Sequence, residues 1–127
     1  MKKNISVKQL MEVDSSIMKP YFDEWVVAMA FDDVCNHGLK HPDYKMLMGI
    51  LSKHITIGKM IEILDNKWTK EEIFISRLED FQWSVCFGLE NYGLEYYEEI
   101  GDYDFICDKD ELVDALWEAV KYILKED

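Results

Sequence analysis

The sequence predicts an all-α fold, a compact bundle of about six helices with short loops, in a single acidic helical domain spanning residues 1–127. Three observations predict it. Apolar residues return at helical spacing in one run after another along the chain. Helix-start signals stand ahead of these runs: Pro20, Pro42, Thr56, Thr69 with Glu72, and Asp108 with Glu111. No Asn-Gly or Asp-Gly pair joins two alternating runs, as a tight hairpin would require.

The first helix is expected near Ser6–Val13, where Val7, Leu10 and Met11 fit the period. Pro20 opens the second run, in which Phe22, Val26, Met29, Ala30 and Val34 return at helical spacing and Gly38 follows the end. That Pro-in, Gly-out bracket encloses about four turns. Pro42 opens a third helix with Met46, Leu47, Ile50 and Leu51 on one stripe, and Thr56 caps a fourth through Ile57, Met60, Ile61 and Leu64. The capping box Thr69/Glu72 precedes the longest run, with Phe74, Leu78, Phe81, Val85 and Leu89 on one face and Ile73, Trp83 and Phe87 widening it. So broad an apolar surface is expected of a central helix touched from several sides. A short helix from Leu94 to about Ile100 follows, and Asp108 with Glu111 caps a last one carrying Leu112, Leu116, Ala119 and Ile123, flanked by Val113, Trp117 and Val120. Strand signals are confined to Ile73-Phe74-Ile75, directly behind a capping box, and Tyr103-Asp104-Phe105-Ile106.

Composition narrows the function. The chain holds 26 acidic against 14 basic residues, a formal charge of −12. It offers no basic stripe to exchange for the counterions of nucleic acid, and an anionic membrane would repel it. A basic protein is the partner such a charge attracts, fastest at low salt. No leader or spanning segment is expected, since uncharged runs such as WVVAMAF (Trp25–Phe31) and QWSVCFGL (Gln82–Leu89) are short. A cytoplasmic protein is therefore expected. Cys35, Cys86 and Cys107, odd in number and each beside apolar neighbours, read as buried or half-buried reduced thiols. Trp25 and Trp83 sit within apolar runs and are expected to be mostly buried, whereas Trp68 is expected to show a face to solvent.

Candidate chemistry is thin. Asp32, Asp33, Cys35, His37 and His41 form the densest set of possible ligands, but the spacing matches no common zinc pattern and Gly38 breaks the run between the histidines. His37, two residues from Cys35, points away from it on a helix and cannot serve as its base. No Gly-rich phosphate loop exists, the six glycines being isolated. Neither catalytic residues nor a metal or cofactor are expected. Asp23-Glu24, Asp32-Asp33 and Glu79-Asp80 read as solvated helix faces.

Glu90 to Glu111 is different. Nine carboxylates stand there against Lys109 alone, with Tyr92, Tyr96, Tyr97, Tyr103 and Phe105 threaded among them. An acidic surface kept only for solubility is one explanation. Acids interleaved with rigid amphipathic rings also make a surface that captures a cationic partner. The partner-binding residues expected on this basis are Glu95, Tyr97, Glu98, Glu99, Asp102, Tyr103, Asp104, Asp108 and Asp110. Asp108 and Glu111 can also be explained by the helix start they precede.

Three segments together, YFDEWVVAMAFDDVCNHG, LEDFQWSVCFGLENYG and EYYEEIGDYD, resemble the immunity proteins of bacterial contact-dependent growth inhibition systems, over about Tyr21 to Leu124. The resemblance lies in a pattern of aromatics and acids. It implies a small cytoplasmic protein that binds the toxin domain of a delivered effector, often a basic nuclease, and blocks it. That class is diverse in fold and its specificity residues differ between types, so no architecture and no site residue is carried over. Composition agrees: a nuclease presents Lys and Arg to phosphate, and an acidic partner can occupy that groove. Two rival readings stand beside it, a mobile-element nucleic-acid mimic that inhibits a defence nuclease, and a metal-dependent enzyme built on Cys35, His37 and His41.

Overall fold

Residues 2–67, 71–77, 82–89 and 105–125 are described by the structure, a computed structural model. The chain divides into two compact units, Lys3–Lys59 and Met1–Lys2 with Met60–Asp127. Six α-helices and a small three-stranded antiparallel sheet make up the described residues, so the molecule is mostly helical but not all-α.

The first unit holds α1 (Val7–Leu10), α2 (Ser15–Met18), α3 (Trp25–His37) and α4 (Tyr44–His54). Each of the two short helices begins on a side-chain cap. Ser6 Oγ accepts from the Gln9 amide at 3.1 Å, while the Gln9 side chain accepts from the Ser6 amide at 2.9 Å, a complete capping box. The Asp14 carboxylate accepts from the Ser16 amide at 3.0 Å. Helix α2 has no counterpart in the sequence expectation. Pro20 sits in a 3-10 turn, Lys19–Tyr21, and the chain runs extended through Phe22 and Glu24 before α3 begins at Trp25. Gly38, at φ 54°, ends α3 in a backbone region that costs a residue with a Cβ dearly.

Helices α3 and α4 pack on one another, but both are rotated from the faces the sequence suggested. On α3 the buried row is Val27, Ala30, Phe31 and Val34, whereas Val26 and Met29 are exposed. The reason is Asp33: it lies one turn from Met29 and two from Val26, so burying that row would drag a carboxylate out of water. The observed row contains no polar residue. On α4, Leu47, Met48, Leu51 and Ser52 are buried and Met46 is exposed. Centring the face on Met46 and Ile50 would have turned Lys53 and His54 inward as well. Ser52 is accommodated because its hydroxyl donates to the Gly49 carbonyl at 3.0 Å. Phe22 completes this core, its ring centroid 5.0 Å from that of Phe31. The N-terminal segment joins it through Ile5, whose amide donates to the Ile55 carbonyl.

The unit boundary falls inside α5 (Ile57–Lys67). Thr56 caps it as expected, Oγ1 accepting from the Lys59 amide at 3.2 Å, and Met60, Ile63 and Leu64 are fully buried. The expected stripe holds at Met60 and Leu64, with Ile57 and Ile61 partly exposed beside it.

The expected central helix is instead two strands, β1 (Glu71–Arg77) and β2 (Trp83–Leu89), paired antiparallel from Glu71↔Leu89 to Arg77↔Trp83. A third strand, β3 (Phe105–Lys109), pairs with the other edge of β2 from Trp83↔Lys109 to Phe87↔Phe105. Local composition explains the outcome. Ile73, Phe74 and Ile75 are β-branched or aromatic, and Trp, Val and Phe at 83, 85 and 87 alternate with Ser, Cys and Gly, a period of two. Gly88 inside the run also lowers its helix propensity. Residues 78–81, including Phe81, and Thr69 of the supposed capping box lie outside the described residues. The same holds for the short helix expected at 94–100.

The last helix, α6 (Leu112–Lys125), packs on β2 and β3. Its expected stripe is correct throughout: Leu112, Val113, Leu116, Trp117, Ala119, Val120 and Ile123 are buried, joined by Ala115 and Leu124. Its expected cap is not. Asp108 lies within β3 opposite Ser84, and the helix starts behind Glu111, whose carbonyl accepts from Asp114 and Ala115. Among the described residues no helix is long and apolar enough to cross a membrane.

Candidate partner-binding surface

Of the nine residues expected to bind a partner, Glu95, Tyr97, Glu98, Glu99, Asp102, Tyr103 and Asp104 lie outside the described residues. Asp108 and Asp110 are described, and both are exposed. Strand β3 carries Asp108, whose carboxylate has no hydrogen-bond or ion-pair partner among the described residues. Asp110 accepts from the Gln82 side chain at 3.4 Å. Glu111 is used within the unit, its carboxylate accepting from the Lys2 amide at 3.1 Å while Lys2 Nζ holds Asp114 at 2.8 Å. The described end of the acidic stretch therefore divides into a structural pair at the start of α6 and exposed carboxylates just before it. On β1 the Arg77 guanidinium lies over the Trp83 ring, 5.2 Å from its centroid.

A second surface was not expected from the sequence. Trp25 is 73% exposed, Val26 56%, Met29 45% and, on α4, Met46 58%. The expectation that Trp25 is mostly buried is thus wrong, whereas Trp83 is half-buried. Fully burying one large apolar side chain stabilises a fold by about 1.5–3 kcal/mol, so four left in water forgo a considerable gain. Trp25, Val26, Met29 and Ala30 of α3 and Leu47 and Ile50 of α4 line a groove of about 250 Å³, with Asp33 at its wall. The Asp33 carboxylate has no hydrogen-bond or ion-pair partner among the described residues, whereas that of its neighbour Asp32 pairs with Lys19. At the Trp25 end, Glu24 stands 3.9 Å from His54. The rotation of α3 described above is what exposes this row, and the polar signal for it in the sequence is Asp33 in phase with Met29 and Trp25.

The cysteine and histidine cluster assembles nothing comparable. Cys35 is exposed, against the expectation of a buried or half-buried thiol, because the rotation of α3 turns it outward. Partial burial of its sulfur first, and the Asp14 charge second, push the thiol up, with Lys19 opposing them. A nucleophilic thiol needs the reverse shift. His41 Nδ1 accepts from the Asp43 amide at 3.0 Å, and the His37 and His41 rings stand 5.8 Å apart. Among the described residues no three His, Cys, Asp or Glu side chains come together as a set that could hold a metal ion. Cys86 is buried as expected and Cys107 is half-buried. Burial chiefly pushes the Cys107 thiol up, with the charges of Glu118 and Asp108 adding to it and Lys109 and Lys121 opposing.

No family model, no curated protein and no solved structure matches this chain.

Proposed function

We propose that this chain is a binding protein, not an enzyme, and that it neutralises a basic toxin domain, in the manner of the contact-dependent growth inhibition immunity proteins that its aromatic and acidic segments resemble. The observation that carries the reading is charge. Twenty-six acidic residues against 14 basic ones leave a formal charge of −12, and Asp33, Asp108 and Asp110 are carboxylates not neutralised by a cation among the described residues. Such a field draws in a cationic protein and raises its association rate, while like charges exclude nucleic acid and a second acidic chain. The exposed Trp25 ring, two turns from Asp33 on α3, supplies a contact that survives desolvation. A basic nuclease is the toxin class that best complements this surface, since its groove must already hold phosphate.

The test is co-expression with the product of the neighbouring gene. The chain should co-purify with that protein and restore growth. Reversing Glu98, Asp102 and Asp104 to Lys should leave the fold intact and weaken the complex, because removing one member of a desolvated charge pair costs about 2–5 kcal/mol. A wild-type chain that neither binds nor protects would overturn the reading. Competition with duplex DNA for a defence nuclease, with no effect on the neighbouring product, would assign the chain to the nucleic-acid mimics.

A further inference from the structure

The geometry points to the α3–α4 groove as a docking site for a short cationic amphipathic segment of a partner protein. This inference rests on the reading of the chain as a binding protein for a basic partner, and the residues it uses are not those of the acidic stretch 90–111. The groove has an order along its length. Trp25, Met29 and Asp33 follow at intervals of four on α3, so two exposed apolar side chains and then a carboxylate stand in one row. From Trp25 to Asp33 that row is roughly 12 Å long at the rise of a helix, the length of about two turns of an incoming helix. Ile50 and Leu47 form the opposite wall.

An occupant of this site has an apolar face for Trp25, Val26, Met29 and Ile50 and a Lys or Arg for Asp33, whose carboxylate has no partner among the described residues. Short helices of that kind bind by laying their apolar stripe into a groove between two helices. Trp is also among the residues on which binding energy concentrates. A second copy of this chain is disfavoured as the occupant, since each copy carries a formal charge of −12. An anionic bilayer is disfavoured on the same ground. Charge complementarity therefore selects a cationic protein segment.

The probe is a labelled peptide of Lys and Leu, about four helical turns long and patterned with one apolar face. It is compared with a scrambled peptide of the same composition and with a Glu/Leu counterpart. Fluorescence anisotropy should show the patterned Lys/Leu peptide binding at least about tenfold more tightly than the scrambled one, and the Glu/Leu peptide not binding. Trp25→Ser and Met29→Lys should each weaken binding about tenfold or more without altering the circular dichroism spectrum, as both side chains are largely exposed. Asp33→Lys should weaken it too, and Asp65→Lys, which changes the net charge equally from an exposed site on α5, should not. The inference is overturned if Trp25→Ser and Met29→Lys bind the peptide as the parent does, or if Asp65→Lys weakens binding as much as Asp33→Lys. Sedimentation showing a dimer that Trp25→Ser dissociates would give the groove to a second copy and also overturn it. With the neighbouring gene's product, failure of the wild-type chain to bind defeats the functional reading. Binding by the wild type that the groove variants retain in full defeats the groove alone.

Discussion

Two aromatic residues on α3 should respond in opposite ways to truncation. Phe31 is fully buried and packs against Phe22 at a 5.0 Å centroid separation, while Trp25, less than two turns earlier, is 73% exposed. Replacing Phe31 with Ala removes a buried ring and leaves a cavity, a change worth about 3–5 kcal/mol, of which about 0.5–1.5 kcal/mol belongs to the ring pair. Trp25→Ala forfeits only the covered quarter of a similar loss, about 1 kcal/mol, since 73% of the residue is already in water. Urea unfolding followed by circular dichroism reads both. With a slope of about 2 kcal/mol per molar urea, the Phe31 variant should shift its midpoint down by about 2 M and the Trp25 variant by about 0.5 M. Phe31→Leu, which keeps most of the volume, covers the case in which the alanine variant does not fold, and should cost about 1 kcal/mol. Equal losses at Trp25 and Phe31, or a loss below about 1 kcal/mol at Phe31, would mean that α3 presents the other face to its core and that the groove is misplaced.

Thiol labelling and acid titration provide two further checks. An aromatic disulfide reagent should modify Cys35 first and Cys86 last, and Asp14→Asn should speed Cys35, because removing a negative charge that pushes the thiol up increases the thiolate present at a given pH. The Asp14 carboxylate is itself held below the usual range, first by the Ser16 amide and then by the Ser16 hydroxyl. Its contribution is therefore complete above the unfolded aspartate value of about 3.9 and is lost as pH falls further, through the lowered folded value. Asp14→Ala should cost about 0.5 kcal/mol at neutral pH, the low end for an exposed cap, and the difference from the parent should close in acid.

How far the sequence could be read depended on how many structures each segment satisfied. The buried face of helix α6 was legible, though not its cap, because its apolar row and flank leave Asp114 and Glu118 only partly buried and repeat without a gap. Helix α3 was legible at its Gly38 end but not in its start or its face: its first seven residues, Trp25 to Phe31, are all apolar, so the choice of face fell to Asp32 and Asp33 at its far end. The β1–β2 hairpin was misread because Phe74, Leu78, Phe81, Val85 and Leu89 also fit a helical period, and nothing from 78 to 82 is a Gly or Pro that would announce a turn. A run so rich in Ile, Phe, Val and Trp satisfies both periods. Pairing with β3, a contact distant in sequence, accompanies the strand form, and no local pattern reports it. For the candidate surface, the acidic stretch was legible as charge, whereas the groove was not, since an exposed Trp within an apolar run carries the same local signature as a buried one.

On the proposed reading, the acidic residues and the α3–α4 groove suit different parts of one binding event. Charge acts at range: at physiological salt it reaches about 8 Å before screening, so the acids govern how often a basic partner arrives and in which orientation. An apolar groove acts only on contact, so Trp25, Met29 and Ile50 bear on how long a partner stays. Neither suffices for an inhibitor of a secreted or delivered nuclease. Charge alone would be competed away by nucleic acid and by salt, since it reproduces only the part of the interaction that phosphate already makes. Apolar contact alone would find its partner slowly and would favour self-association, which the formal charge of −12 opposes. Exposed apolar side chains and a strongly acidic chain are therefore compatible under the proposed function: the charge would keep the groove free of other copies, and the groove would give a charged encounter the specificity that charge by itself lacks.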